Sequence, residues 1–317
     1  MRLSDRLRSI HVPSRIKALR RPLPTNYAVE MSVALNEHYF RQGDSKRDMS
    51  DHVSGRLFHF RDTIVPWIDA IYGLKGRNIL EIGTGTGAST LALAEQGAIV
   101  TGIDIDEGAM SAARKRLGMF PDLQVELVEL NAEVLDSKFA PGQFEVIIFF
   151  AALEHMLIRE RLKAIRAAWN VVAQGGLLIV VDTPNRLWWF DDHTAKLPFF
   201  EWLPDDLAIM YMSRSSRNFA AGFKGAQPGD AALTERLWRI GRGASFHEFE
   251  LALDLPASEL SIASDFRPWL RLRNPAYLLH DFMQGRLGYS RFLRSRQRGI
   301  PKAFSHPVIN VAIRKDG

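Results

Sequence analysis

Cysteine is absent from the 317 residues, and with it go disulfide frameworks, zinc ribbons, iron–sulfur clusters and thiol nucleophiles. Long apolar runs are missing too. The longest, Val146 to Leu153, has eight residues, against the roughly 20 that a membrane-spanning helix needs. Residues 1–21 are rich in arginine and poor in acid, without the apolar stretch of a secretory signal. There is no internal repeat and no low-complexity segment. What remains, 46% hydrophobic and 24% charged, is the composition of a globular chain with a substantial core. The expectation is a cytoplasmic protein able to sit peripherally at the inner face of a membrane.

The net charge of +5 is unevenly laid out. Residues 1–22 carry seven basic side chains and one acidic, and residues 267–317 carry eleven and two, so the stretch between them is acidic. Basic ends of this kind suit an anionic membrane surface or a phosphorylated substrate, or simply balance an acidic body. No RNP-type or zinc-finger signature points to nucleic acid. We expect a basic arm over 1–24, a helical region over 25–75, a core over 76–182, an insertion over 183–258, and closing strands with a basic helical insert over 259–317.

Periodicity predicts helices over Tyr27–Phe40 and Asp51–Tyr72, then short apolar runs alternating with helical ones. The strands are Asn78–Ile82, Ala98–Ile103, Leu123–Leu130, Phe144–Phe150 and Gly176–Val181. The helices between them are Ala88–Gln96, Glu107–Leu117 and Met156–Ala173, the last with Ile158, Leu162, Ile165, Trp169 and Val172 on one apolar face. Gly97 and Gly118 fall where a helix places a left-handed terminating residue. This alternation implies an α/β fold with a mostly parallel sheet covered on both faces. After Val181 the rhythm breaks. Residues 183–244, rich in Trp, Phe, Pro and Asp, read as a lid or substrate-binding segment, its cluster of Trp188, Trp189, Phe190, Phe199, Phe200 and Trp202 forming its core. Strands at Glu259–Ala263 and Pro307–Arg314, around a basic helical stretch over 275–297, are suited to closing the sheet as an antiparallel pair.

The sharpest local signal is Ile79-Leu80-Glu81-Ile82-Gly83-Thr84-Gly85-Thr86-Gly87, a strand entering a glycine-rich turn and then a helix. Such a turn lets a ligand approach bare backbone. Gly83, Gly85 and Ala88 also satisfy the dinucleotide spacing. Glu81 discriminates: a carboxylate there would repel a pyrophosphate, whereas S-adenosylmethionine has no phosphate and carries an ammonium and a sulfonium. Asp104, ending the second strand and followed by Ile105, is placed to accept ribose hydroxyls. Asn131-Ala132 can serve an adenine edge with an amide and a backbone N–H.

Taken together, Glu81-x-Gly83-x-Gly85-x-Gly87, Asp104, Asn131-Ala132 and the Phe144-to-His155 strand and loop resemble a class I S-adenosylmethionine-dependent methyltransferase of the bacterial methyltransferase-11/23 type. The resemblance covers about residues 50–182 and the closing strand. It implies a Rossmann-like seven-stranded sheet, S-adenosyl-L-methionine as cofactor and S-adenosyl-L-homocysteine as product. Glu81, Gly83, Thr84, Gly85, Gly87, Asp104, Ile105, Asn131 and Ala132 would line the cofactor. Asn131 stands where the family commonly has aspartate. Thr183-Pro184-Asn185-Arg186-Leu187 through Trp202-Leu203-Pro204, and Ser245 to Glu250, are similar to a bacterial subgroup of that family.

A base matters for an unactivated hydroxyl acceptor, and alignment supplies much of the remaining rate. His193, His155 and His247 are the candidates, His193 first, because open α/β sheets place their sites at the carboxyl ends of strands. Glu248 follows His247, but in the strand expected there neighbours point to opposite faces. No metal is expected: the fourth strand ends Phe149-Phe150-Ala151 without a carboxylate, although Asp182, Asp191 and Asp192 remain as spare carboxylates. The loop Phe150-Ala151-Ala152-Leu153 lacks the Pro-Pro-aromatic pattern of exocyclic-amine methylation, and carbon-5 methylation of cytosine needs a cysteine. The reading is O-methylation of a small-molecule or sugar-type hydroxyl. The alternatives are an NAD-dependent oxidoreductase and a non-catalytic polyanion-binding protein on a degenerate cofactor fold.

Overall fold

The computed structural model describes residues 20–40, 46–296 and 299–316; the basic arm expected over 1–24 therefore lies, up to residue 19, outside the described residues. Seven strands form one sheet: β1 (Asn78–Ile82), β2 (Ile99–Asp104), β3 (Val125–Glu129), β4 (Phe144–Phe150), β5 (Val172–Pro184), β6 (Ser261–Asp265) and β7 (Val308–Arg314), in the order β3-β2-β1-β4-β5-β7-β6. β1 to β5 pair in parallel, and β7 runs antiparallel between β5 and β6. The order reverses between β1 and β4, and a crevice at the carboxyl ends of strands is where such sheets bind ligands.

Both faces are covered, which is why β4 reads as an unbroken apolar run. One face packs Ile79, Val146 and Ile179 against Leu57, Ile64 and Trp67 from the N-terminal helices. The other packs Leu80, Ile147 and Val180 against Ile165 and Ala168 of the Ile158–Val171 helix and Phe249 of the Phe246–Leu253 helix. The residues after β5 bury a smaller core of their own, with Phe200, Ile209, Met212, Phe223 and Leu237. Among the described residues no helix is long and apolar enough to cross a membrane.

Several expectations are corrected. The helical run starts at Lys46 and reaches Tyr72, with π-helical turns at Asp51–Gly55 and Phe60–Ile64; the second ends just before Pro66, whose missing N–H interrupts the regular ladder. β5 is longer at both ends than Gly176–Val181, because its pairing with β4 and β7 is long-range, and it shifts register against β7 between Val180 and Thr183. Gly97 takes φ +83, as a left-handed terminator should, but Gly118 is the last residue of its helix and is not left-handed. The buried face of the Ile158–Val171 helix runs through Arg161, Ala164, Ile165 and Ala168, while Ile158 is exposed. Ser245 to Glu250 forms a helix rather than a strand: Ser245 and Glu248 cap each other reciprocally, the S-x-x-E signature of a helix start. The basic C-terminal stretch folds as Phe266–Arg273, Pro275–Met283 and Arg286–Arg296. Of the aromatic cluster, Trp188 and Phe200 are buried, whereas Phe199 and Trp202 are about half exposed.

Candidate active site

The turn after β1 stands on β2, with Gly83 N and Thr84 N donating to Ile103 O at 3.0 and 3.1 Å. Gly83, Gly85 and Gly87 take φ +85, +51 and +78, a region that only glycine visits cheaply. The outer two are also required by packing. A Cβ at Gly83 would lie 2.8 Å from Ala152 Cβ, and one at Gly87 3.0 Å from Ala113 Cβ. A Cβ at Gly85 would meet nothing within 4 Å, so open space lies in front of the middle of the turn. From behind, the buried Arg116 donates to Thr86 O (2.8 Å), Val53 O (3.0 Å) and His52 O (2.7 Å), fastening the turn to the N-terminal helices.

The predicted cofactor residues take distinct places around that space. Glu81 is 0% exposed, and its carboxylate accepts from the Ser89 hydroxyl and, at 2.5 Å, from Thr90 Oγ1. Burial pushes its carboxyl up to about 7, against the pull of those two hydrogen bonds. As placed, Glu81 ties strand to helix from within. Asp104 is half-buried at the tip of β2, accepting from Gly85 N at 2.8 Å and Asp106 N at 3.0 Å, with a further lone pair on each oxygen. Ile105 beside it is 67% exposed. Thr84 is buried over Gly102, where a Cβ would approach its Oγ1 to 2.6 Å. Asn131 caps the short helix Ala132–Val134: its Oδ1 accepts from Glu133 N (2.9 Å) and its Nδ2 donates to Glu133 Oε1 (3.2 Å), so both ends of the amide are engaged locally. Ala132 is buried.

Beyond β4 the chain passes Gly83 and enters the short helix Leu153–His155. Here the fold brings His155 and His193 together, with ring centroids 5.8 Å apart. Asp191 accepts from His193 N and Thr194 N at 2.9 and 2.8 Å and so shapes the turn that carries His193. His193 Nδ1 bonds Thr194 Oγ1 (3.0 Å), whose own proton goes to Gly241 O (2.7 Å). That chain fixes the hydrogen on Nδ1 and leaves Nε2 a free lone pair. His155 Nδ1 faces Arg239 O at 2.9 Å, which fixes the same tautomer. Gly241, at φ +142, is demanded by this packing, since a Cβ there would lie 2.7 Å from His193 Cε1. Burial lowers His193 to about 4, helped by the nearby His155, Arg217 and Arg56 charges; the imidazole is neutral at pH 7.

Glu154, not singled out in the sequence, joins them. It is fully buried, its Oε2 accepts from Thr183 Oγ1 at 3.1 Å, and burial raises its carboxyl above the usual range. The adjacent Glu-His pair at the end of an apolar strand was the available signal. His247 is exposed on a neighbouring helix, stacked on Phe246 and bonded to Ser245 Oγ at 2.9 Å, so its contacts are those of its own helix. Glu248 pairs with the buried Arg161 at 2.9 Å instead of orienting His247. Asp192 is exposed, 3.5 Å from Arg286, and Asp182 lies 3.9 Å from His59.

Residues 80–180 match the family described as a methyltransferase domain. The ubiquinone biosynthesis O-methyltransferase of Stutzerimonas stutzeri is 37% identical over 122 residues, 38% of this chain and 50% of that protein. The protein of the same name from Pseudomonas aeruginosa is 36% identical with the same coverage. The chain thus spans about half the length of the curated relatives it matches. A solved S-adenosylmethionine-dependent methyltransferase from Methanosarcina mazei is 30% identical, with 37% of this chain and 57% of that chain covered and a TM-score of 0.34. The sheet order and the glycine turn agree with the family match: residues 80–180 form a methyltransferase domain, set in the seven-stranded Rossmann-like fold of class I S-adenosylmethionine-dependent methyltransferases.

Proposed function

We propose that this protein methylates a hydroxyl of a small-molecule or sugar-type acceptor, using S-adenosylmethionine. The observation that carries this is the pairing of an open glycine turn at Gly85 with two half-buried histidines, His155 and His193, beside the end of β4. The curated relatives of the matched stretch are named O-methyltransferases, which supports an oxygen acceptor. When bound, the cofactor supplies a methyl group on a positively charged sulfur. The Gly83–Gly87 turn would hold it by backbone approach, Asp104 by its outward lone pairs, and Ile105 by apolar cover. In the metal-free chain the neutral His193 offers its Nε2 lone pair to the acceptor's hydroxyl proton.

The test is calorimetric titration with S-adenosylhomocysteine, with NADH as control ligand. Binding of the first alone is the expected result; binding of NADH in its place would overturn the reading. Against a panel of phenolic and sugar hydroxyls, His193→Ala is expected to lower turnover by roughly 10²–10⁴ with S-adenosylhomocysteine affinity unchanged. Turnover near the wild-type rate would remove His193 from the reaction.

A further inference from the structure

The sequence argument against a metal rests on the end of β4, which offers no carboxylate. The fold supplies one four residues later. Glu154 Oε1 is buried without a hydrogen-bond partner among the described residues and lies 4.0 Å from His155 Nε2. One donor atom each from Glu154, His155 and His193 fall within 4.8 Å of one another. Some point then lies no more than about 2.8 Å from all three, so inward shifts of under about 1 Å give the 2.0–2.2 Å bonds of a transition-metal ion. The donors are prepared for this. Each histidine has its Nδ1 hydrogen held by an oxygen, Arg239 O or Thr194 Oγ1, the outer support usual for a ligating imidazole. Glu154 has its other oxygen on Thr183. Its carboxylate meets neither a lysine nor an arginine within ion-pair distance among the described residues; the one ionisable side chain within that distance is His155.

We propose that Glu154, His155 and His193 form a binding site for a divalent transition-metal ion of the zinc or manganese class. Two imidazole nitrogens among three donors disfavour magnesium and calcium. Three protein ligands leave positions open, and both histidines are only half-buried, so those positions face solvent. For what fills them the inference rests on the methyl-transfer reading: an acceptor with two adjacent oxygens fits best. On coordination the acceptor's O–H bond breaks, the oxygen keeps the electron pair and binds the ion, and the proton passes to solvent. Nε2 of His193 is then a ligand, and the ion does the activating that falls to His193 in the metal-free chain.

The test uses the full chain, stripped with chelator and titrated with Zn²⁺ by equilibrium dialysis with metal analysis. We expect one equivalent bound, and binding weakened at least tenfold in Glu154→Gln and in His193→Ala, each variant keeping wild-type affinity for S-adenosylhomocysteine as its fold control. The partly exposed His193→Ala carries the test if Glu154→Gln fails that control. No stoichiometric binding, or equal binding in wild type and variants, overturns the site. Zn²⁺ binding without S-adenosylhomocysteine binding sustains the metal site and refutes the methyl-transfer reading; the converse sustains the reading and refutes the site.

A second inference comes from the opposite end of the chain. The helix Pro275–Met283 turns its acid inward: Asp281 is fully buried, accepting from Arg267 Nε at 2.8 Å and Arg271 Nε at 2.9 Å. Its apolar residues Leu278, Leu279, Phe282 and Met283 are exposed, Phe282 to 70%, and helical geometry puts them within about 140° of arc. Leu272 and Phe292 on the flanking helices are exposed as well, with Arg291, Arg294 and Arg296 uncovered beside them. We infer that this face docks on an anionic lipid surface, because the apolar stripe is flanked by the exposed arginines of the next helix and so matches an interface of acyl chains and negative headgroups. Co-sedimentation of the full chain with phosphatidylcholine vesicles, with and without phosphatidylglycerol, tests this. The expected result is binding to the anionic vesicles only, reduced at least tenfold by Leu279→Asp with Phe282→Asp while S-adenosylhomocysteine binding persists. Equal binding to both vesicles, binding to neither, or a concentration-dependent dimer that the double variant dissociates would overturn it.

Discussion

The turn after β1 and the segment after β5 flank the same candidate site, but what sets their conformation differs. In the turn, Gly85 N reaches Asp104, 19 residues on, and the conformation is written into the glycines themselves. After β5, the segment is fastened by two buried arginines. Arg161, on the helix before β5, donates to Glu248, 87 residues away, and to Gly243 O and Arg242 O. Arg242 donates to Phe200 O and Leu203 O, with Glu201 at 3.7 Å, and both guanidiniums lie over the Trp238 ring. A locally encoded element can be read from a short stretch of sequence; an element held by such cross-braces cannot. The two also fail differently, since a buried pair stripped of one partner leaves a charge without solvent or counterion.

The largest effect is expected from cutting a brace. Arg161→Met leaves Glu248 buried and unpaired, and removing one partner of such a pair costs about 3–5 kcal/mol. Urea denaturation should show that loss, and Arg161→Met with Glu248→Leu should recover most of it. A single variant as stable as wild type would mean that the local core around Phe200 and Leu237 holds the segment by itself, and the comparison would collapse.

In the turn, the corresponding change acts on binding rather than stability. Gly85→Arg places a side chain in the open space before the backbone, and S-adenosylhomocysteine affinity should fall more than 100-fold. The left-handed backbone at φ +51 adds only about 1–2 kcal/mol of strain. If calorimetry finds unchanged affinity, the ligand does not approach the turn at Gly85.

A weaker effect should appear in the pH dependence. Burial holds Glu81 at about 7 in the folded chain, above its ordinary value. The folded state therefore binds the proton more tightly than the unfolded one. The stability Glu81 contributes is complete below about pH 4.5 and is lost as pH rises through about 7, at no more than about 1.4 kcal/mol per pH unit. Glu81→Gln should flatten that slope relative to wild type across this window. Parallel stability profiles for the two proteins would show that Glu81 stays ionised inside the fold.

The same difference explains what could be read in advance. β1 and β4 occupy the spans their apolar runs indicate, because a parallel strand buried on both faces announces itself locally. β5 outgrew its apolar run because cross-strand pairing, not residue type, sets its ends. The helix at Phe246 carried a legible Ser245–Glu248 capping signal that the aromatic and acidic alternation masked. His155 and His193 were recognisable as strand-end residues, yet nothing local says that they meet across the fold or that Glu154 turns inward beside them.

Asn131 gives the finest discrimination between local and ligand-directed roles. Both ends of its amide are engaged by Glu133, and it is the N-cap of the helix that follows. Replacing a capping asparagine by alanine costs roughly 0.5–2 kcal/mol, so Asn131→Ala should lower the melting temperature by a few degrees. If capping is its whole contribution, S-adenosylhomocysteine affinity should change less than about threefold, since a lost neutral hydrogen bond is worth about 0.5–1.5 kcal/mol and a larger effect would approach tenfold. A tenfold loss with little destabilisation would mean that the amide leaves Glu133 for the ligand's adenine edge, making this residue a contact that forms only on binding.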